Sequence, residues 1–272
     1  MTANQSSIKI HVLQIAYDDT EDMDSRVDRV AALIRGQEAA DLVVLPELWA
    51  HGGFSYARWG QDAQRLDGHV VAELSAAARD AGVYLHGGSI AEHAADGADL
   101  GPQGRGLWNT SVLFEPGGEL TATYRKIHRF GFGEGEPVLM EAGTDVVTTA
   151  MFGETLGLAT CYDLRFPELF RQLLDRGAGI FLVPAAWPKP RIEQWSLLGR
   201  ARALENQCYM VQCNTAGSHG GVVMGGRSQV VAPDGVVLAQ AGDDEEVLVV
   251  ELDLARIPEL RERFPVLADR RL

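Results

Sequence analysis

The stretch TLGLATCYDLRFPE, Thr155 to Glu168, runs from a strand pattern into a helix pattern with a cysteine at the junction. Its first half is a short apolar run of the kind that forms a buried strand. Pro167 suits a first helical turn, where its missing N–H is no loss, and helical spacing of apolar residues continues to position 176. A strand that passes directly into a helix is the repeating unit of an α/β sheet. It places Cys161 at the sheet's carboxyl end, where open α/β folds carry their sites.

The same alternation extends in both directions. Strands are expected over residues 8–15, 42–45, 83–88, 109–114, 120–124, 146–150, 155–160, 180–183, 209–213, 227–231, 236–239 and 247–252. Helical periodicity is clearest over 22–35, 70–81, 167–176 and 193–206. Pro116-Gly117-Gly118 and Pro233-Asp234-Gly235 read as hairpin turns, and the polar stretch 92–106 as a surface loop. No repeat or linker divides the 272 residues, so a single domain is expected, with two mixed sheets covered by helices on the outside.

Composition narrows the function. A formal charge of −14 argues against nucleic acid or an anionic membrane as partner, because a negative field repels phosphate. The opening segment has no basic region followed by a long apolar stretch, and no run approaches the length of a membrane span. Three cysteines, Cys161, Cys208 and Cys213, fit a reducing cytoplasm better than a disulfide scaffold.

Three residues stand out chemically. Cys161 is either a nucleophile, whose thiolate a nearby helix N-terminus would favour, or a buried structural thiol. Cys208 and Cys213 sit in or beside a core-like strand. Glu47 follows the apolar run 42–45 and Pro46, so its carboxyl group lies against a sheet and is suited to accept and return a proton; a solvated loop glutamate or helix cap is the alternative. Lys126 ends a strand, and an ammonium there could lower a thiol's pKa or hold an oxyanion; alone, such a lysine is most often a solvated charge. The segment 131–137, GFGEGEP, lacks the Gly-Lys-Ser/Thr ending of a phosphate loop. His51-Gly52-Gly53 and His86-Gly87-Gly88 occur without a Gly-x-Ser-x-Gly elbow, which argues against a serine esterase. Neither His-Glu-x-x-His nor Cys-x-x-Cys occurs, so neither a dedicated metal site nor a cofactor is expected. Spacing alone leaves a papain-type Cys-His dyad open.

Leu45-Pro46-Glu47, Tyr124-Arg125-Lys126 and Cys161 to Glu168 together resemble the catalytic segments of the nitrilase superfamily. Flanking segments at Asn109-Thr110-Ser111, Arg202 to Asn206, Gly226-Arg227-Ser228 and Arg263 to Leu267 are similar as well, so the resemblance spans nearly the whole chain. It implies a four-layer αββα sandwich that pairs into a homodimer, with the tail from about residue 253 at a subunit contact. It also implies a cysteine-dependent hydrolase of carbon–nitrogen bonds other than peptide bonds, an amidase. Glu47 would be the general base, Lys126 the oxyanion stabiliser, Cys161 the nucleophile and the Tyr162 N–H a second oxyanion donor. Relatives carry a further glutamate after the lysine; of Glu134 and Glu136, the Gly-Glu-Pro context favours Glu136. Tyr162-Asp163 in place of Trp-Glu points to the omega-amidase branch, acting on an omega-amide or N-carbamoyl compound. A nitrile hydrolase and a non-catalytic binding protein are the alternatives. Arg165 and Glu168 are expected to form an ion pair. The loop Ala185 to Lys189, with Trp187, could line the pocket, although it departs from the Gly/Ser-Ala-Phe form common in omega-amidases.

Overall fold

The computed structural model describes residues 6–271. Two six-stranded sheets make up its centre. The first runs, edge to edge, Glu246–Asp253, Ser7–Gln14, Leu42–Val44, Tyr84–His93, Leu107–Phe114 and Leu120–Arg125. The second runs Thr148–Met151, Glu154–Leu158, Ile180–Ala185, Tyr209–Asn214, Gln229–Val231 and Val237–Gln240. In that order both sheets pair antiparallel, parallel, parallel, antiparallel, antiparallel. Each half therefore has a parallel centre with apolar side chains on both faces, as a sheet covered on both sides requires.

Successive residues of a strand point to opposite faces, and the burial follows that rule. Leu42 and Val44 pack between the sheets with Ile10, Leu156, Leu182 and Val211. Val43 and Leu45 pack outward, against Val27, Val30 and Ile34 of helix Met23–Arg35 and Val70 and Leu74 of helix His69–Ala81. On the far side, Phe181 and Val183 meet Leu169, Phe170 and Leu173 of helix Pro167–Asp175 and Trp195 of helix Ile192–Asn206. Three apolar layers between four layers of backbone make the expected αββα sandwich.

Several boundaries differ from the sequence expectation. The strand expected over 83–88 continues to His93, and Glu92 belongs to it, opposite Trp108. Its carboxylate reads as loop chemistry in sequence, but it is buried and bonded to Thr110 Oγ1 and the Arg125 guanidinium. A third, three-stranded sheet of Ala16–Asp18, Ala216–His219 and Val222–Val223 was not expected, because segments this short carry no readable period. Arg256–Arg263 is helical, and the tail folds back on its own chain, where Gln207 Nε2 donates to the Phe264 carbonyl at 2.8 Å.

One close approach positions the segment that carries Glu47. Gly88 has φ 69°, and a Cβ there would sit 1.9 Å from the Pro46 carbonyl oxygen. Only glycine lets this segment cross the neighbouring strand so closely.

Three buried histidines make stability depend on pH. Burial pushes His51, His86 and His219 each down to about 4. Above about pH 6.5 both folded and unfolded forms are neutral and stability is complete; between 6.5 and 4 the unfolded chain takes up protons that the folded chain refuses, so stability falls. Urea unfolding over this range should show a slope approaching three protons from these groups, on the order of 4 kcal/mol per pH unit at most. His86→Met should remove about one proton from that slope; an unchanged slope would contradict the assignment.

Candidate active site

The carboxyl ends of both sheets meet at one point. Glu47 follows Leu42–Val44, and its N–H donates to the Ala185 carbonyl at the end of strand Ile180–Ala185 in the other sheet. Lys126 follows Leu120–Arg125 and is fastened by its N–H to the Asn109 carbonyl at 2.9 Å. Glu136 opens the short helix Glu136–Leu139. Cys161 follows Glu154–Leu158 with φ 48°, and Leu48 beside Glu47 has φ 45°. Left-handed backbone at non-glycine residues is costly, and here it occurs at both turns that present the chemistry.

The three expected residues are brought together with Glu136. Lys126 Nζ lies 2.7 Å from Glu47 Oε1 and 2.9 Å from Glu136 Oε2. Asn109 Nδ2 donates to Glu47 Oε1 at 2.8 Å and to Glu136 Oε1 at 2.6 Å. The Ala186 N–H donates to Glu47 Oε2 at 2.8 Å. Glu136 Oε2 accepts from the Phe130 N–H. Glu134, by contrast, is exposed on the glycine-rich loop. Burial alone would push Lys126 down, but the Glu136 and Glu47 carboxylates outweigh it and hold the ammonium well above its ordinary value. Burial raises the Glu136 carboxyl, as does the Glu47 charge, against the pull of Lys126 and Asn109.

Cys161 departs from one expectation. Burial pushes its thiol well above the usual range, and Glu47, as a neighbouring charge and a hydrogen-bond acceptor, adds to this more than Lys126 removes. The surroundings of Cys161 thus favour the thiol over the thiolate, opposite to what a helix N-terminus would do. The helix begins at Pro167, as expected, and one 3-10 turn over Cys161–Arg165 separates it from the thiol.

Asp163 ties the turn that carries Cys161 to the strand that leads to Lys126. Its fully buried carboxylate accepts from the Thr160 N–H at 2.8 Å, Tyr124 Oη at 2.7 Å and the His128 N–H at 2.9 Å. It also bonds His128 Nδ1 at 2.7 Å. Ser111 Oγ and Thr160 Oγ1, 3.0 Å apart, make a second tie. Sequence reasoning gave neither Asp163 nor Asn109 a role, because their partners lie on other strands.

Phe54, Phe130, Tyr162, Trp187, Arg165 and Arg191 surround the narrow cleft above Cys161. A second hollow, lined by Glu47, Lys126, Glu136 and Tyr56, shares Phe54, Phe130, Cys161 and Ala186 with it. A larger hollow of about 480 Å³ beside Arg125 and Trp108 contains none of the clustered residues. The expected ion pair between Arg165 and Glu168 does not form: Glu168 is exposed, while Arg165 donates to Gln194 Oε1 and stacks 4.9 Å over Trp187. Arg191 lies 5.3 Å over the Phe130 ring. Trp187 lines the cleft, but its indole N–H is bound to the Arg191 carbonyl. Among the described residues, no group of three His, Cys, Asp or Glu side chains could hold a metal, and no helix is long and apolar enough to cross a membrane.

A cysteine thiol, a carboxylate and an ammonium in one buried cluster define a hydrolase with a thiol nucleophile. The family model for carbon-nitrogen hydrolases matches residues 9–262, and the chain belongs to that family. It is 45% identical to a 2-oxoglutaramate amidase of Paenarthrobacter nicotinovorans, covering 100% of this chain and 92% of the relative. It is 33% identical to a 2-oxoglutaramate amidase of Bacillus subtilis, over 85% of each chain. A Saccharomyces cerevisiae member of branch 10 of the nitrilase superfamily has the same fold, with TM-score 0.86 and 29% identity over 98% of both chains. An amidase of Nesterenkonia, TM-score 0.80 and 27% identity over 98% of this chain and 97% of its own, carries a covalent adduct on its active-site cysteine. The protein is thus a cysteine-dependent amidase of the nitrilase superfamily, hydrolysing carbon–nitrogen bonds other than peptide bonds.

Access and a base together should make Cys161 the thiol that reacts. Cys208 and Cys213 are fully buried, with thiols that burial pushes up, the former to about 12. Iodoacetamide at pH 7.5, followed by peptide mapping, should label Cys161 at least about tenfold faster than either, and Glu47→Gln should slow that labelling about tenfold. Equal rates in the wild type and the variant would show that Glu47 does not draw the proton from sulfur.

Proposed function

We propose that the chain hydrolyses the terminal amide of a small dicarboxylic acid monoamide of the 2-oxoglutaramate type, releasing ammonia. The observation that carries this is the pair Arg165 and Arg191 at the cleft: neither makes an ion pair with a carboxylate among the described residues, in a chain of net charge −14. Unpaired guanidinium groups beside a nucleophile suit a substrate whose far end is a carboxylate. The amidase relatives agree with that chemistry.

In this reading Glu47 takes the proton from Cys161 Sγ, and the sulfur adds to the amide carbonyl carbon. The oxyanion is held by Lys126 Nζ and the Tyr162 N–H. Protonated Glu47 passes its proton to the nitrogen, the C–N bond breaks, and ammonia leaves a thioester on Cys161. Glu47 then takes a proton from water, whose oxygen adds to the thioester. Collapse of that adduct frees the acid, and the sulfur regains its proton. Glu136 keeps Lys126 charged and aimed at the oxyanion.

The acid-ended substrate is tested by ammonia release. A dicarboxylic acid monoamide should exceed a neutral amide of equal length about a hundredfold in kcat/KM, and Arg191→Gln and Arg165→Gln should each erase at least tenfold of that preference, mainly in KM. Cys161→Ala should abolish turnover. Equal use of neutral and acidic amides would overturn the substrate class, and faster turnover of nitriles would favour a nitrile hydrolase.

We also infer a cytoplasmic homodimer. Its three cysteines are free, and helix Ile192–Asn206 exposes Leu197 (66%) and Leu204 (55%) two turns apart on one face. Sedimentation should give twice the chain mass of 29.5 kDa for the wild type and a shift toward the monomer for Leu197→Arg with Leu204→Arg. An unshifted variant would place the contact elsewhere.

A further inference from the structure

We infer that Asn109 is a positioning residue that keeps Glu47 available as a base by preventing it from sharing a proton with Glu136. The inference rests on the reading of Glu47 as the base that deprotonates Cys161.

The geometry is a closed ring of four polar atoms. Glu47 Oε1 and Glu136 Oε1 each accept from Lys126 Nζ, at 2.7 Å and 3.0 Å, and each accepts from Asn109 Nδ2, at 2.8 Å and 2.6 Å. Two acceptors thus alternate with two donors. The orientation of Asn109 follows from this, since turning the amide over would aim its carbonyl oxygen at two carboxylates. That oxygen is buried without a partner, a cost borne for the placement of the two N–H bonds.

Two carboxylates so near each other, out of water, have an alternative. One proton can bridge them, as in paired acids whose like charges cannot both ionise. Glu47 would then carry a proton or share one, and could not accept another from Cys161 Sγ. Lys126 offers one positive charge against two negative ones. Asn109 supplies a second bridging donor where a shared proton would otherwise sit. Its hydrogen bond lowers the Glu136 carboxyl, opposing the rise caused by burial and by Glu47.

Other ionisable groups face the cluster from every side. They are Lys126, Tyr124 and Cys161, Tyr17 from the small sheet, Tyr56 from helix Tyr56–Asp62, and Glu134 on the loop before Glu136. The three phenols, the thiol and the ammonium are all held above their ordinary values, so none titrates on the acid side of neutrality. Glu134 is exposed and lies outside the ring.

The test is the pH profile of kcat/KM for an amide substrate, measured for the wild type, Asn109→Leu and Asn109→Ala. Loss of the bridging donor should move the acid limb upward by about one pH unit, lower kcat at pH 6 about tenfold and leave KM within about twofold. A merely structural role would depress activity at every pH without moving the limb. With Glu136→Gln in the background there is no second carboxylate to share with, and Asn109→Leu should leave the limb where it stands. If Asn109→Leu does not fold, Asn109→Ala is read in the same way. An unmoved limb in folded variants overturns the inference. Substantial activity in Glu47→Gln would instead overturn the reading of Glu47 as base, so the two failures are distinguishable.

Discussion

The constraint on which the site depends is a buried lysine between two buried carboxylates. Taking an ion out of water costs several kcal/mol even after relaxation, and Glu47, Lys126 and Glu136 are all out of water. Such a cluster is tolerable only if its members face charges and donors at hydrogen-bond distance. Lys126 reaches both acids, and Asn109 bridges them; the Ala186 and Phe130 N–H groups take the remaining carboxylate oxygens. Removing Lys126 would leave two carboxylates buried without an opposite charge, so its ammonium holds the arrangement together.

That need explains the architecture around it. The donors to the cluster come from both sheets, and the site sits where their ends meet. Glu47, Asn109 and Lys126 come from the first sheet, and Cys161 and the Ala186 N–H from the second. Asp163 holds the halves in register, with the turn before Cys161 on one side and the segment around Lys126 on the other. Left-handed backbone at Leu48 and Cys161 shows that the surroundings, and not local preference, set these two turns.

The electrostatics also shape the chemistry. Burial and Glu47 both raise the Cys161 thiol, so the surroundings disfavour a further negative charge on its sulfur. In the mechanism proposed above, the proton moves when a carbonyl arrives to take up the sulfur's electron pair, and Lys126 is then placed for the oxygen that becomes negative. In that mechanism the ammonium serves the transition state more than the resting thiol, as differential stabilisation requires.

Much of this was legible in the chain. The apolar runs ending at Leu45 and Thr160 gave the parallel strands, because a strand covered on both faces must be apolar throughout. Glu47, Lys126 and Cys161 were legible because each follows a strand end in a recognisable segment. What the chain could not display was partnership. Glu92 looks like a loop residue until Arg125 and Thr110 are beside it, and Arg165 looks paired with Glu168 until a helix turns the two apart. Asn109 and Asp163 act across strands, on residues 62 and 35 positions away, and Glu136 separates from Glu134 only when the backbone between them turns. Sequence by itself determined which groups are present and which strands carry them, since periodicity and strand ends are local. Tertiary structure alone decided which charges meet and how far burial shifts them, because distance and solvent exclusion are properties of the packed whole.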